Sequence, residues 1–189
     1  IVTASYYNHH LGSGGDYPRS PATSVGLHGK LWFHDNDSIS YLYRKIMKRI
    51  GYTPDQIITE GSFRGAADNA EESIWAFRRT AGFTLGHGMY QSFFDLHGGY
   101  YDDPQLMDEI KKENRLFEQA AQNKRSSVSQ ILIVSDEVSC SYVAYPEIYG
   151  ANDFSHKLLI QNLVDSQPGF FKLGAPTDSI LVDDLSQLN

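Results

Sequence analysis

Residues 27–37, LHGKLWFHDND, are the stretch that decides the fold. An apolar strand pattern over residues 27–33 runs into acidic and amide residues just before a helical pattern begins. In enzymes built on a (β/α) barrel, catalytic side chains lie at the carboxyl ends of the parallel strands. We therefore interpret Asp35 as the candidate catalytic carboxylate and Asp37 as a second residue of the same site.

Both aspartates also have a structural interpretation. Asp37 and Ser38 directly precede an apolar stripe at helical spacing, so either could cap a helix over residues 38–50 by accepting its free N–H groups. Asp35 lies two residues further upstream, where a solvated loop acid is as common as a catalytic one. The sequence alone leaves both alternatives open.

Strand and helix patterns alternate through the first part of the chain. Strand patterns cover residues 1–6, 27–33 and 83–94, and helical patterns cover residues 38–50, 68–81 and 104–124. In the last helix Lys111, Lys112, Glu113 and Glu118 fall away from the apolar face. Residues 8–24 are rich in Gly, Pro and Ser and predict a flexible loop at a sheet edge. This order predicts an α/β fold with a parallel or barrel-like sheet.

A second unit is predicted after a linker at residues 123–127. A buried strand over residues 130–134, a helix over 153–167 and a strand over 180–182 have the spacing of a βαβ unit in a flavodoxin-like, three-layer domain. The first of these strands is not followed by a glycine-rich fingerprint. We therefore expect no nucleotide cofactor.

Composition excludes several classes of partner. The chain has 189 residues, 41% of them apolar, which is enough to fill a core. A net charge of -7 without basic clusters argues against nucleic acid. No apolar run approaches the ~20 residues that span a bilayer, so no membrane partner is expected. The single cysteine, Cys140, excludes an intramolecular disulfide framework.

Histidine spacing does not predict a metal site. None of the seven histidines lies in a His-x-x-x-His or His-x-x-Glu-His pattern. We expect His28 and His34 to be hydrogen-bonded groups near the mouth of a barrel-like sheet. The chain begins in a strand pattern that is already under way, and little sequence follows the strand pattern at residues 179–182 to cover it, so we expect a piece of a longer protein.

Three segments together resemble the β-galactosidase-like glycoside hydrolases of family 42 and their relatives. They are LHGKLWFHDND at 27–37, GHGMYQSFFDLHGGYYDDP at 86–104 and LGAPTDSILVDDL at 173–185. The resemblance covers most of the chain. It implies the C-terminal part of a (β/α)8 barrel at residues 1–124, followed by a truncated, flavodoxin-like trimerisation domain at 125–189. It also implies a retaining glycosidase for β-galactoside-like or related glycosides, and a homo-oligomer formed through the second domain.

The resemblance gives Asp35 the nucleophile position, where the family usually has Glu. The acid/base Glu of the family comes from the fourth barrel strand, which would lie upstream of Ile1. Retaining glycosidases need both carboxyl groups. The isolated chain is therefore expected to be inactive.

Aromatic and polar residues at the end of the strand pattern over residues 83–94 and just after it suggest a sugar-binding wall. Sugar rings present apolar C–H faces, which aromatic side chains can contact. Phe93 and Phe94 are as well explained by core packing. The candidate carbohydrate-binding residues are Asp37, His34, Tyr90, Asp95, His97 and Tyr100, with Tyr90 and Tyr100 as the main sugar contacts. The alternative function is a non-catalytic carbohydrate-binding or assembly module of a larger protein.

Overall fold

The computed structural model describes residues 2–4, 20–124, 126–140, 142 and 167–188. The chain divides into two compact units. Unit 1 holds Ile1–Asp16 and Leu31–Ser126, and unit 2 holds Tyr17–Lys30 and Ser127–Asn189. The later division lies in the predicted linker, whereas residues 17–30, assigned by sequence to the first domain, belong to unit 2.

The described residues form short parallel strands and a larger number of helices. The strands are β1 (Val2–Ala4), β2 (Phe33–Asn36), β3 (Tyr90–Phe93), β4 (Ile131–Ser135) and β5 (Thr177–Leu181). The helices are α1 (Ala22–Leu27), α2 (Tyr43–Arg49), α3 (Pro54–Arg64), α4 (Ala70–Gly86), α5 (Pro104–Ala121), α6 (Glu137–Cys140) and α7 (Gln167–Lys172), followed by a 3-10 helix over Val182–Gln187.

The sheet of unit 1 has the order β1-β2-β3, and both strand pairs are parallel. Parallel strands joined by helices confirm the predicted α/β class. Within the described residues the sheet is open and three-stranded, so no barrel is shown. The central strand of the three is β2, the strand that carries Asp35.

An aromatic core lies between the sheet and the helices of unit 1. Phe77 on α4 is fully buried, and its ring meets Phe93 at 5.1 Å and Tyr101 at 5.7 Å, both edge to face. The buried members of this core are Ile39, Tyr43, Ile46, Met47, Phe77, Tyr100, Tyr101 and Leu106. Such ring pairs stabilise a core beyond the area that they bury.

The predicted strand over residues 83–94 is wrong in its first half. Helix α4 begins after Asn69, whose side chain accepts from the Glu72 amide, and it continues to Gly86. Gly82 does not end it, and the helix stops where Gly88 adopts a φ of 71°. A glycine in the left-handed region just after the last turn is a common helix terminator. Only Tyr90–Phe93 remain as strand.

The predicted strand over residues 27–33 is displaced. Residues 22–27 form α1 instead, and a turn at Gly29, with a φ of 62°, separates α1 from the strand that starts at Phe33. The next predicted helix starts late, at Tyr43, because residues 37–42 form a loop held by a bond from the Ser38 amide to Asn36 Oδ1. Helix α3 has no counterpart in the prediction.

The amphipathic pattern at residues 104–124 is confirmed as α5. The Asp103 carboxylate accepts from the amides of Gln105 and Leu106, and Pro104 occupies the first turn. These are the expected features of a helix start.

Unit 2 contains a parallel pair, β4 and β5, with α1 attached to β5. The Ala22 amide donates to Ser179 Oγ at 3.1 Å, and the Leu181 amide donates to Ser24 Oγ at 2.8 Å. His28 Nε2 lies 2.9 Å from Asp184 Oδ1. Both strands lie close to their predicted positions. The helix predicted at residues 153–167 lies outside the described residues except for its last residue.

Candidate functional site

Four side chains share one face of β2 and β3, which we call the Asp35 face. Phe33 pairs with Tyr90 and Asp35 pairs with Ser92 in the parallel register. Because residues two apart on a strand point to the same side, these four side chains lie together. Phe33 is 39% exposed, and Asp35 and Tyr90 are half-buried. The face is therefore accessible to a ligand.

The Asp35 face combines an oriented carboxylate with aromatic rings. Ser92 Oγ donates to Asp35 Oδ1 at 3.2 Å. The rings of Phe33 and Tyr90 lie 5.9 Å apart, and Tyr90 stacks on Phe117 of α5 at 6.4 Å. A carboxylate beside an aromatic wall suits the polar groups and the apolar C–H faces of a sugar ring.

Tyr101 links the loops that follow β2 and β3. Its hydroxyl lies 3.0 Å from the Ser38 carbonyl and 3.3 Å from the Phe94 carbonyl, so it donates to this carbonyl pair. Burial raises the pKa of the Tyr101 phenol well above its ordinary value, and nearby negative charge raises it further. That charge comes from Asp95, Asp37 and Asp35. The phenol therefore stays a donor near neutral pH, and three carboxylates lie around it.

Asp95 and His97 hold the loop after β3 in place. The Asp95 carboxylate accepts from the amides of Gly99, at 2.7 Å, and Tyr100, at 3.3 Å. The His97 carbonyl accepts from Arg49 at 3.2 Å. Both residues were predicted to bind substrate, and the contacts that the structure shows for them shape this loop.

Tyr100 lies in the core and not on the Asp35 face. It is 1% exposed and its ring packs against Tyr43 at 6.3 Å. The loop turns at Gly98 and Gly99, with φ values of 68° and 103°, and this turn directs Tyr100 inward. The expectation of an accessible sugar contact at Tyr100 is therefore corrected.

His34 and Asp37 also differ from their predicted settings. His34 is 1% exposed and lies on the opposite, helix-covered face of β2, where its ring meets Phe83 at 5.7 Å. A ligand on the Asp35 face does not reach it there. Asp37 is buried directly after β2. It does not cap α2, whose N-cap is Leu42.

A buried acidic cluster on α5 was missed by the sequence analysis. Glu109 and Glu113 are both buried, although Glu113 is expected to fall away from the apolar face of the helix. Glu109 accepts two hydrogen bonds from Arg78 on α4, and Glu113 accepts one from Gln91 on β3. The signal was present in the spacing of Leu106, Glu109, Glu113 and Phe117, which places the acids on the apolar face of the helix.

A small cavity lies elsewhere in unit 1, between α2 and the loop after β3. Its volume is ≈ 220 Å³ and its lining residues are Leu42, Lys45, Ile46, Arg49, Gly99 and Asp102. None of the predicted site residues lines it.

In the described part of the chain, no group of three or more His, Cys, Asp or Glu side chains is arranged to hold a metal ion. None of the described helices has the length and apolar character needed to span a bilayer.

Comparison of the chain with family models, curated proteins and solved structures gives no match.

Proposed function

We propose that this chain carries the nucleophile half of the active site of a retaining glycoside hydrolase that acts on β-galactoside-like or related glycosides. One observation carries the proposal. Asp35 lies near the carboxyl end of the central parallel strand, receives a hydrogen bond from Ser92 and shares its face with the Phe33 and Tyr90 rings. The family resemblance supports the same assignment.

The proposed chemistry needs two carboxyl groups about 5 Å apart. Asp35 attacks the anomeric carbon and forms a covalent glycosyl ester, while the second carboxyl group protonates the leaving oxygen. That second group, now a carboxylate, then takes a proton from water, which hydrolyses the ester and frees Asp35. The bond from Ser92 orients one Asp35 oxygen and leaves the other for attack.

The second carboxyl group and the remaining barrel strands are also proposed, on the basis of the resemblance. By the resemblance, the acid/base Glu precedes Ile1, and β1 to β3 are part of a (β/α)8 barrel. Unit 2 is proposed to be an assembly domain that forms a homo-oligomer. Asp is one methylene shorter than the usual Glu, a difference of ~1.5 Å. A substrate bound closer to the strand would offset it.

The test is hydrolysis of aryl β-galactosides by the longer parent protein, with Asp35→Asn, Asp35→Ala and, as a matched control, Asp55→Asn on the exposed surface of α3. We expect Asp35→Asn to lower kcat by on the order of 10⁴-fold or more and Asp55→Asn to leave it unchanged. Added azide should attack in place of the missing carboxylate in Asp35→Ala and yield a glycosyl azide of inverted configuration.

The 189-residue chain serves as a second arm. We expect no turnover from it, because one carboxylate cannot both attack and protonate. Robust turnover by this chain would refute the proposal that the acid/base group lies upstream. A fully active Asp35→Asn parent would remove Asp35 from the mechanism. Galactoside binding that is weakened by Tyr90→Ala in that parent would then identify the face as a non-catalytic carbohydrate-binding site.

A further inference from the structure

The buried acid Glu113 and the half-buried amide of Gln91 meet between α5 and β3. Glu113 is 2% exposed, and its Oε2 accepts from Gln91 Nε2 at 2.9 Å. The other oxygen of each side chain, Glu113 Oε1 and Gln91 Oε1, is buried without a hydrogen-bond partner among the described residues. Two acceptors without a donor are costly in a protein interior. One added proton between them would satisfy both.

The neighbouring charges do not neutralise Glu113. Arg78 donates from Nε and Nη2 to the two oxygens of Glu109, at 2.6 and 2.8 Å, and Lys112 Nζ lies 3.5 Å from the same carboxylate. Arg78 and Lys112 are thus engaged with Glu109. On β2, the titratable residue in register with Gln91 is His34.

These surroundings favour the neutral form of Glu113. Burial is the main cause that raises the pKa of its carboxyl group to about 7, and the negative charge of Glu109 adds to the effect. The bond from Gln91 and the charge of Arg78 lower this pKa only in part.

We propose that Glu113 and Gln91 form a buried proton-binding site, in which the folded protein takes one proton from solvent onto Glu113 Oε1. The resulting O–H donates to Gln91 Oε1, while Gln91 Nε2 still donates to Glu113 Oε2. The carboxylic acid and the amide then form a closed pair with two hydrogen bonds. Both unpartnered oxygens are accounted for by this single proton. The proposal is independent of the proposed glycosidase function.

The site makes the stability of unit 1 depend on pH. An unfolded Glu titrates near ~4.3. Because the folded carboxyl titrates at about 7, the folded state holds the extra proton between these values. The stabilisation is complete below the unfolded pKa, declines as pH rises, and is lost once pH exceeds the folded pKa.

The test is urea unfolding of the chain from about pH 4.5 to about pH 7.5. The variants are Glu113→Gln, which stays neutral and can keep both hydrogen bonds, and Glu118→Gln, an exposed control on the same helix. Relative to Glu113→Gln, the unfolding constant of the wild type should rise by on the order of 10²-fold over this range. Glu118→Gln should follow the wild type. Parallel curves for the wild type and Glu113→Gln would overturn the proposal.

A second measurement does not depend on a folded variant. The Cδ resonance of Glu113 in ¹³C-labelled wild-type protein reports its protonation directly. A titration midpoint near neutral pH supports the proton site, and a midpoint at or below the ordinary Glu value of ~4.3 overturns it, whether or not Glu113→Gln folds.

Discussion

Tyr101 joins the ends of two neighbouring strands through one hydroxyl group. The carbonyls of Ser38 and Phe94 both lie within hydrogen-bond distance of that hydroxyl, and the ring packs edge to face on Phe93 at 5.1 Å. The side chain thus connects the core to the two loops that carry Asp37 and Asp95. Its polar tip and its apolar ring stabilise the same edge of the sheet.

Replacing Tyr101 by Phe removes the hydroxyl and retains the ring. Two carbonyls then lose a buried donor, so we expect the free energy of unfolding to fall by ~1–3 kcal/mol in urea titrations. Tyr52→Phe, at an exposed position, is the control and should change it by less than ~0.5 kcal/mol. Equal effects of the two substitutions would show that the Tyr101 bonds contribute no net stability.

At the same residue scale, the local sequence could predict the position of Asp35 near a strand end but not the burial of Tyr100. A polar residue following a strand pattern is visible in the sequence, and Asp35 does lie on a strand near its carboxyl end. The inward direction of Tyr100 depends on two glycines with positive φ, which the sequence does not specify. The burial of Glu113 depends on α5 packing over β3, a long-range contact.

At the element scale, the boundary between α4 and β3 shows why the strand predicted over residues 83–94 is wrong in its first half. Aromatic and glycine residues over 83–94 resemble a strand, yet residues up to Gly86 are helical. Seventeen residues of capped helix outweigh a weak strand propensity, because helix extension is cooperative. Helix α1 is the opposite case, a helix that forms where no helical pattern is predicted. It has six residues and no side-chain cap, so its stability comes from contacts with β5 that the local pattern cannot reveal.

Two glycines provide a matched test at the element scale. Gly99 has a φ of 103° and an added Cβ would meet Ile46 Cδ1 at 3.7 Å, whereas Gly82 lies inside α4 with open space around it. Gly99→Ala should lower the free energy of unfolding by ~1–3 kcal/mol through backbone strain. Gly82→Ala should raise it by ~0.5–1 kcal/mol through helix propensity. Thermal and urea unfolding measure both.

The two substitutions should thus change the free energy of unfolding in opposite directions. If Gly99→Ala were neutral, the loop after β3 would tolerate another backbone conformation, and the inward position of Tyr100 would not depend on this turn.

For the whole molecule, unit 2 depends on two stretches that are distant in sequence. Sequence patterns identified the strands at residues 130–134 and 180–182, because each is a local apolar run. They did not show that residues 17–30 belong with them, since that grouping rests on hydrogen bonds across more than a hundred residues. Local periodicity carries no information about such pairs.

Ser24→Ala tests the role of this distant stretch. Removing Ser24 Oγ leaves the Leu181 amide without its acceptor, so unit 2 should lose ~1–2 kcal/mol. Hydrogen exchange should become about tenfold faster in β4 and β5 and stay unchanged in β2 and β3. Ser186→Ala, at an exposed position, is the control. Equal acceleration in both units would indicate one cooperative structure.

The separation of Ala22 from Ser179 by 157 positions also sets an order of events during translation. At ~5–20 residues added per second, α1 leaves the ribosome roughly 8 to 30 s before its partner strand exists. A six-residue helix is not stable alone over that time. Residues 31–126 of unit 1 emerge as one continuous stretch in the meantime. Nascent chains thus reach the synthesis of β5 with α1 still lacking its partner strand, and chaperone binding is most useful during that interval.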